Sequence, residues 1–254
     1  MNLKVINVNA AGWIALMYCI VCCFSTAGAQ ETLPGEGNMS LNSHMPIIDM
    51  KGKLWSVDDT ISVYYYKGMV LYKLPYQIVS NDKFGNLIEE TAYNYMVRER
   101  GAEVGFLFDT LNAVNATKVK VDSMLGNRLS PNLKFYSETN DSLVRTIQLS
   151  DGKGVEQVYV SKVLINESYN DSTYLYYSES LNNFAFSFST TFDNLMKRKL
   201  YKIRLFYKQR YSEQYKMNLP EREFAFELKA LPAIIPDELV RLFERYNSLI
   251  PGKK

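Results

Sequence analysis

The sequence predicts a mainly β protein: a single antiparallel, curved sheet, half-barrel or sandwich-like, with one C-terminal α-helix. Three observations carry the prediction. Apolar-alternating runs recur between turn residues at intervals of about 8 to 12 residues, the spacing of antiparallel sandwiches and barrels. Tyrosine occurs 19 times in 254 residues, and tyrosine suits the pleated, half-buried surface of a sheet. Helical periodicity closes the chain, where Leu239, Leu242, Phe243 and Tyr246 fall on one face.

The chain opens on an export signal, residues 1–29. Lys4 precedes an apolar run from Ala10 to Phe24, and Ala27-Gly28-Ala29 fits the small-residue rule for cleavage before Gln30. The run of 15 residues is shorter than the roughly 20 a spanning helix needs. Retention as an uncleaved anchor is the alternative. All three cysteines, Cys19, Cys22 and Cys23, lie in this segment. The mature chain therefore has no disulfide and relies on core burial. Lys and Arg number 29 and Asp and Glu 27, so losing Lys4 leaves 28 against 27. That balance exerts no pull on nucleic acid. No later stretch is long and apolar enough to span a bilayer, which places the expected mature protein in the periplasm, at the cell surface or in the medium.

Residues 30–46, with Pro, Gly, Asn and Ser, read as a flexible lead-in to one β-rich domain over 47–254. TISVYYYKGMVLYKLPYQIV, from residue 60, reads as two strands broken at Lys67-Gly68. LIEETAYNYMVRE, from residue 87, fits helix or strand, and the alternation of Tyr93, Tyr95 and Val97 favours strand. EVGFLFD and TKVKVD follow as short strands, with Asp122 placed to cap a helical turn over 122–128. NLKFYSE, LVRTIQLS, VEQVYVSKVLI, TYLYYSE and FAFSFSTTF continue the strand pattern between Asn/Asp/Gly turns. The final helix, about 236–249, accepts Pro236 in its first turn and has Asp237 and Glu238 at its positive end.

KLYKIRLFYKQR, from residue 199, alternates positive and apolar side chains. Its odd positions, Tyr201, Ile203, Leu205 and Tyr207, form the core side, and its even positions carry the charge. In LPEREFAFELKAL, from residue 219, Phe224, Phe226 and Leu228 are the apolar set and Glu221, Glu223 and Glu227 the acidic one. Core facing core requires paired numbers to sum to an odd value. A sum near 431 sets Arg204 opposite Glu227, Lys208 opposite Glu223 and Arg210 opposite Glu221. The stripe thus finds its counter-charges within the chain. Lys197, Arg198, Lys199 and Lys202 remain as residues able to touch an anionic partner.

Histidine occurs once, at His44, so Ser-His-Asp or Cys-His catalysis and His/Cys zinc sites are not expected. No phosphate loop, H-E-x-x-H or EF-hand pattern occurs, and no cofactor is expected. Paired carboxylates could serve glycoside hydrolysis, yet Glu89, Glu90, Glu221, Glu223 and Glu227 read as exposed sheet and loop positions. Tyr64, Tyr65, Tyr66, Tyr174, Tyr176 and Tyr177 could stack on sugars, although aromatic strand residues more often pack across strands. Trp55 is the only tryptophan after the signal.

Asp-Ser/Thr followed by an aliphatic residue, Met or Thr occurs five times, beginning at Asp59, Asp109, Asp122, Asp141 and Asp171. About one match is expected from average composition. The pattern resembles the acceptor motif of the general O-glycosylation system of Bacteroidota. That resemblance implies Thr60, Thr110, Ser123, Ser142 and Ser172 as attachment hydroxyls; the same dipeptide is also good turn chemistry. In size, export signal and Tyr-rich strands the chain resembles uncharacterised exported β-rich proteins of that phylum, the GLPGLI-like group. Ala230-Leu231-Pro232-Ala233-Ile234-Ile235 follows the namesake motif with alanine for both glycines. The resemblance implies no known activity. The expected function is a non-enzymatic, exported binding or envelope-associated protein whose partner is a lipid, glycan or protein, not a nucleic acid. The alternative is a carbohydrate-active enzyme or sugar-binding module using paired carboxylates and tyrosines.

Overall fold

The computed structural model describes residues 37–49, 52–81, 87–125, 141–150, 152–162 and 169–250. The expected export signal, the run at 132–138 and the end of the run at 155–165 lie outside them. Four long strands come first: β1 (Met39–Ile48), β2 (Leu54–Tyr66), β3 (Met69–Asn81) and β4 (Leu87–Glu99). The alternation at Tyr93, Tyr95 and Val97 is thus that of a strand. Shorter β5 (Val104–Phe108) and β6 (Thr117–Lys120) lead into the one-turn helix α1 (Val121–Leu125), with Asp122 in its first turn. Then follow β7 (Asp141–Gln148), β8 (Gly154–Ser161), β9 (Ser172–Ser178), α2 (Thr190–Met196), β10 (Lys199–Tyr207), the short β11 (Arg210–Ser212) and β12 (Met217–Leu219), β13 (Arg222–Ala230) and α3 (Asp237–Leu249). Lys67 and Gly68 both take positive φ, 48° and 78°, which a two-residue turn between twisted strands demands.

Eleven strands make one open antiparallel sheet in the order β6-β5-β4-β3-β2-β1-β13-β10-β9-β8-β7, and β11–β12 form a separate ribbon. The architecture is the expected single curved-sheet type, left unclosed. It consists of two meanders joined along β1, which pairs with β2 on one flank and β13 on the other. Buried Asn38 fastens this seam. Its Nδ2 donates to the carbonyls of Pro232 (2.9 Å) and Ala233 (3.3 Å), and its Oδ1 accepts from the Tyr65 N–H (3.1 Å). The stretch that resembles the GLPGLI motif is therefore the one Asn38 holds.

The two faces of the sheet are packed differently. One face carries Leu41, Ile61, Val63, Tyr72, Met96, Leu175 and Ile203, covered by Val121 and Leu125 of α1 and by Phe184, Phe186, Phe188 and Phe192. On the opposite face α3 sets Leu239, Leu242, Phe243 and Tyr246 against Met69, Leu71, Tyr95, Val97 and Phe108. The Tyr246 hydroxyl accepts from the Glu99 N–H (3.1 Å), and Arg245 donates to the Ala113 carbonyl (2.6 Å), which fixes the helix to β4 and to the β5–β6 loop.

Three expectations are corrected. Residues 39–46 are not a flexible lead-in but most of β1. A strand paired on both flanks is held by its backbone and needs no strong apolar alternation. FAFSFSTTF is not a strand: its three leading phenylalanines are buried on the sheet face, and Ser189 then caps α2 by accepting from the Phe192 N–H (3.3 Å). Period two here belongs to an extended segment lying over the sheet. Finally, β10 and β13 pair with core facing core, but two residues from the expected register, with Ile203 opposite Phe226 and Leu205 opposite Phe224. A shift of two keeps every side chain on its face.

Asn38→Ala removes three hydrogen bonds and leaves the Tyr65 N–H and two carbonyls without their partner. The expected loss is about 2 to 4 kcal/mol of unfolding free energy, read by urea denaturation.

Candidate functional site

Two prolines divide the sheet into a fully paired body and two projecting ribbons. The β2–β3 ladder runs from Tyr66↔Met69 to Ser62↔Lys73 and stops there, two residues before Pro75. The β1–β13 ladder stops at His44↔Ala225, two residues before Pro46. Proline has no N–H to donate and is tolerated only at unpaired strand flanks. Yet β1 stays paired with β2 as far as Ile48↔Leu54, and β3 with β4 as far as Asn81↔Leu87. On its other side β4 meets β5 only over Tyr95–Val97. Residues 45–48 with 54–57, and 74–81 with 87–94, thus run on as two-stranded ribbons with no third strand among the described residues.

Neither ribbon ladder shows a register shift, so side-chain parity carries through from the body. The face holding Leu41, Ile61, Tyr72 and Leu74 continues onto Ile47 and Trp55 of one ribbon and Tyr76 and Ile78 of the other. These four are 41%, 56%, 40% and 42% exposed. Ile47 and Trp55 are direct cross-strand partners. Two-stranded ribbons are marginal in water by themselves, and clustered exposed apolar side chains mark binding surfaces. The His44 Nδ1 and Asp58 carboxylate meet at 2.7 Å at the root of the first ribbon.

Beyond α3, the opposite face of the C-terminal half carries a ladder of paired charges and tyrosines. Arg145 reaches Glu156 (2.9 Å); Arg204 donates to the Tyr176 hydroxyl (3.0 Å) and grips Glu223 with two bonds (2.7 and 2.6 Å); Lys202 meets Glu227 (3.5 Å). Lys202 and Arg204 also lie over the rings of Tyr176 and Tyr174. The fork on Glu223 holds the Arg204 guanidinium protonated even more firmly than usual. The stripe thus has its counter-charges within the chain, but with other partners than expected. Arg204 takes Glu223, Lys202 takes Glu227, and Arg210 takes Asp171, which also accepts from the Lys208 N–H (2.7 Å) and ends β10 at Tyr207.

Of the residues singled out for anionic partners, Arg198 pairs with Glu179 (2.7 Å), buried Lys199 with Asp193 (2.9 Å) and Lys202 with Glu227, while Lys197 is the exposed left-handed C-cap of α2. Among the hydroxyls, Thr60 donates to Asn42 (3.0 Å) on β2, Thr110 and Ser123 are exposed, Ser142 is half-buried on the outermost strand β7, and Ser172 is buried on β9. The structure does not bring these sites together. Glu223 and Glu227 are held by cations on one strand rather than facing each other across a cleft. Among the described residues no acidic, His or Cys cluster could hold a metal, and no helix is long and apolar enough to cross a membrane. A shallow cleft of ≈ 400 Å³ lies at the other end of β1, beside Tyr65, Tyr66, Lys67 and Asn38, whose amide is already fully bonded.

No protein-family profile and no curated protein matches the chain. Among solved structures it is similar to a Vibrio parahaemolyticus domain whose description assigns it to outer membrane lipoprotein sorting, at 8% identity and a TM-score of 0.22, over 82% of this chain and 92% of that one. It is also similar to a DUF1329 family protein from Desulfovibrio piger, at 11% identity and a TM-score of 0.16, over 85% and 91%.

Sequence reading weighed Trp55 only as a sugar platform and passed over Ile47, Tyr76 and Ile78. The missed signal is a pair of prolines inside otherwise strand-like runs.

Burial raises the phenol pKa of Tyr207, Tyr176 and Tyr95. Below pH about 10 these phenols are protonated in both folded and unfolded chains, and their contribution is intact. Above it the unfolded chain releases protons first, so stability falls as pH rises. Thermal melts across pH 9 to 12 are expected to show a steep loss above about pH 10, shallower in Tyr207→Phe.

Proposed function

We propose that this is an exported, non-enzymatic binding protein that holds an apolar partner against the matching faces of the two ribbons. One observation supports the reading above the others: Ile47, Trp55, Tyr76 and Ile78 extend the core face of the sheet into solvent, on hairpins that no neighbouring strand stabilises among the described residues. These side chains are about half exposed, so they forgo roughly half of the about 1.5 to 3 kcal/mol that full burial of each would contribute. Occupancy by a partner recovers that free energy. The five Asp-Ser/Thr motifs and the likeness to GLPGLI-like exported proteins belong to the same proposal, with glycosylation at Thr60, Thr110, Ser123, Ser142 or Ser172 as its surface modification. Sugar binding by Trp55 and Tyr76 is the second reading, since exposed aromatic faces stack on pyranose rings as well as on aliphatic chains.

The test uses the full-length chain with Trp13→Phe, which leaves Trp55 as the reporter indole. Dodecyl maltoside, titrated below its micellar concentration, should shift Trp55 emission to the blue and saturate. Ile47→Asp with Ile78→Asp should weaken that binding by at least about tenfold and leave the circular dichroism spectrum unchanged. A parent chain whose emission does not respond would sink the proposal; a response to maltose alone would favour the sugar reading.

A further inference from the structure

We infer that the apolar partner is an extended polypeptide segment, which adds as a strand to the free flank of β2 from Leu54 to Thr60. This rests on the ribbons being a binding face, and it names the partner class.

The ground is the backbone. Lys67 and Gly68, both at positive φ, make a two-residue turn, so Tyr66↔Met69 is a pair that exchanges both backbone hydrogen bonds. Such pairs recur at every second residue of an antiparallel ladder, here Tyr64↔Leu71 and Ser62↔Lys73. Next in the series come Thr60 and Pro75. Proline has no N–H for the Thr60 carbonyl, and the ladder stops. Beyond that point the same flank of β2 still turns outward the N–H and C=O groups of Leu54, Ser56, Asp58 and Thr60. No backbone bond engages them among the described residues. The intervening Trp55, Val57 and Asp59 bond to β1 instead, opposite Ile47, Met45 and Ser43. A row of free N–H and C=O groups is the usual template for an added strand. Of the four ribbon flanks, Pro46 interrupts that of β1 and Pro75 that of β3, while those of β2 and β4 carry no proline.

The open flank of β2 is the one that looks across the fork to the second ribbon. A strand seated on it has Ile47 and Trp55 on one side and Tyr76 and Ile78 on the other, so one extended segment meets both apolar pairs. Its residues opposite Trp55 and Val57 fall at the non-bonded positions, where cross-strand side chains approach most closely. They lie on the apolar face and call for apolar side chains. Their neighbours lie on the other face, beside Ser56, Asp58 and Thr60, and suit polar ones. The segment recognised is therefore one of apolar–polar alternation, held by main-chain bonds and set in register by Trp55.

The experiment uses the full-length Trp13→Phe chain and a short, end-blocked peptide alternating Val and Thr. Trp55 emission reads binding, and hydrogen exchange reads the flank. In the free protein the amides of Ser56, Asp58 and Thr60 should exchange freely, while those of Val57 and Asp59, bonded to β1, are protected. The peptide should shift Trp55 emission, saturate, and slow exchange at the three open amides; dodecyl maltoside should not slow them. N-methylation of the peptide's Thr residues, whose N–H groups face β2, should weaken binding at least about tenfold. Ser56→Pro removes a donor from the open flank and none from the β1 ladder. It should weaken peptide binding severalfold and leave maltoside binding and circular dichroism unchanged. Peptide binding that ignores both changes, or its absence where maltoside binds, overturns the inference and leaves the apolar face standing. Protection of Ser56, Asp58 and Thr60 already in the free protein overturns it too, and gives the flank to the chain itself or, where dilution removes the protection, to a second copy. An indole that responds to neither probe overturns the proposed function as well.

Discussion

The structure depends on β1 being paired along both flanks. No other strand belongs to both meanders, and without it the sheet is two half-sheets with bare edges at β2 and β13. The backbone ladder from Met39↔Ala230 to His44↔Ala225 is reinforced from the core side by Met39 and Leu41, which share one cluster with Val63, Ile203 and Leu228. Asn38 locks the start of the ladder by tying the end of β2 and the exit of β13 to one side chain. A buried amide with all these bonds made is a strong local specification, because any slip of β1 would strand its donors and acceptors in the core.

From that seam the sheet changes character along its length. Near Asn38 it is flanked on one face by α3 and on the other by the phenylalanine-rich segment before α2. Toward the ribbons, among the described residues, neither cover extends and the ladders thin from many strands to two. Pro46 and Pro75 mark the transition. The ribbons keep their shape through the body they grow from, so an exposed apolar face of modest intrinsic stability is carried by a well-packed base.

Much of the fold was legible from the residues. Lys67-Gly68 announced the β2–β3 turn, and the parity of Ile203, Leu205, Phe224 and Phe226 announced that β10 and β13 lie side by side with their apolar flanks together. What escaped has physical reasons. Parity constrains register only modulo two, and the choice between Glu223 and Glu227 for Arg204 was settled by the bidentate fit and by Tyr176 beside it. The polar composition of residues 40–44 concealed a central strand, because pairing on both flanks replaces the apolar signal that an isolated strand needs. The phenylalanines at 184, 186 and 188 alternate as strand residues do, but they lie across the sheet face and pack into its core instead of pairing along a strand flank. The ribbon face was hardest to see: Ile47, Trp55, Tyr76 and Ile78 look like ordinary core positions, and only the stopping points of two ladders reveal that among the described residues no further strand flanks them.

The seam also orders events in time. Met39 and Ala230 stand 191 positions apart along the polypeptide, whereas most other neighbours in the sheet are joined by hairpins. Each meander can zip from local turns as it emerges, but the junction between them waits for the last strand, and closing so long a loop carries the largest entropic toll in the molecule. A chain that emerges from its N-terminus therefore holds one flank of β1 unpaired until almost its whole length is available.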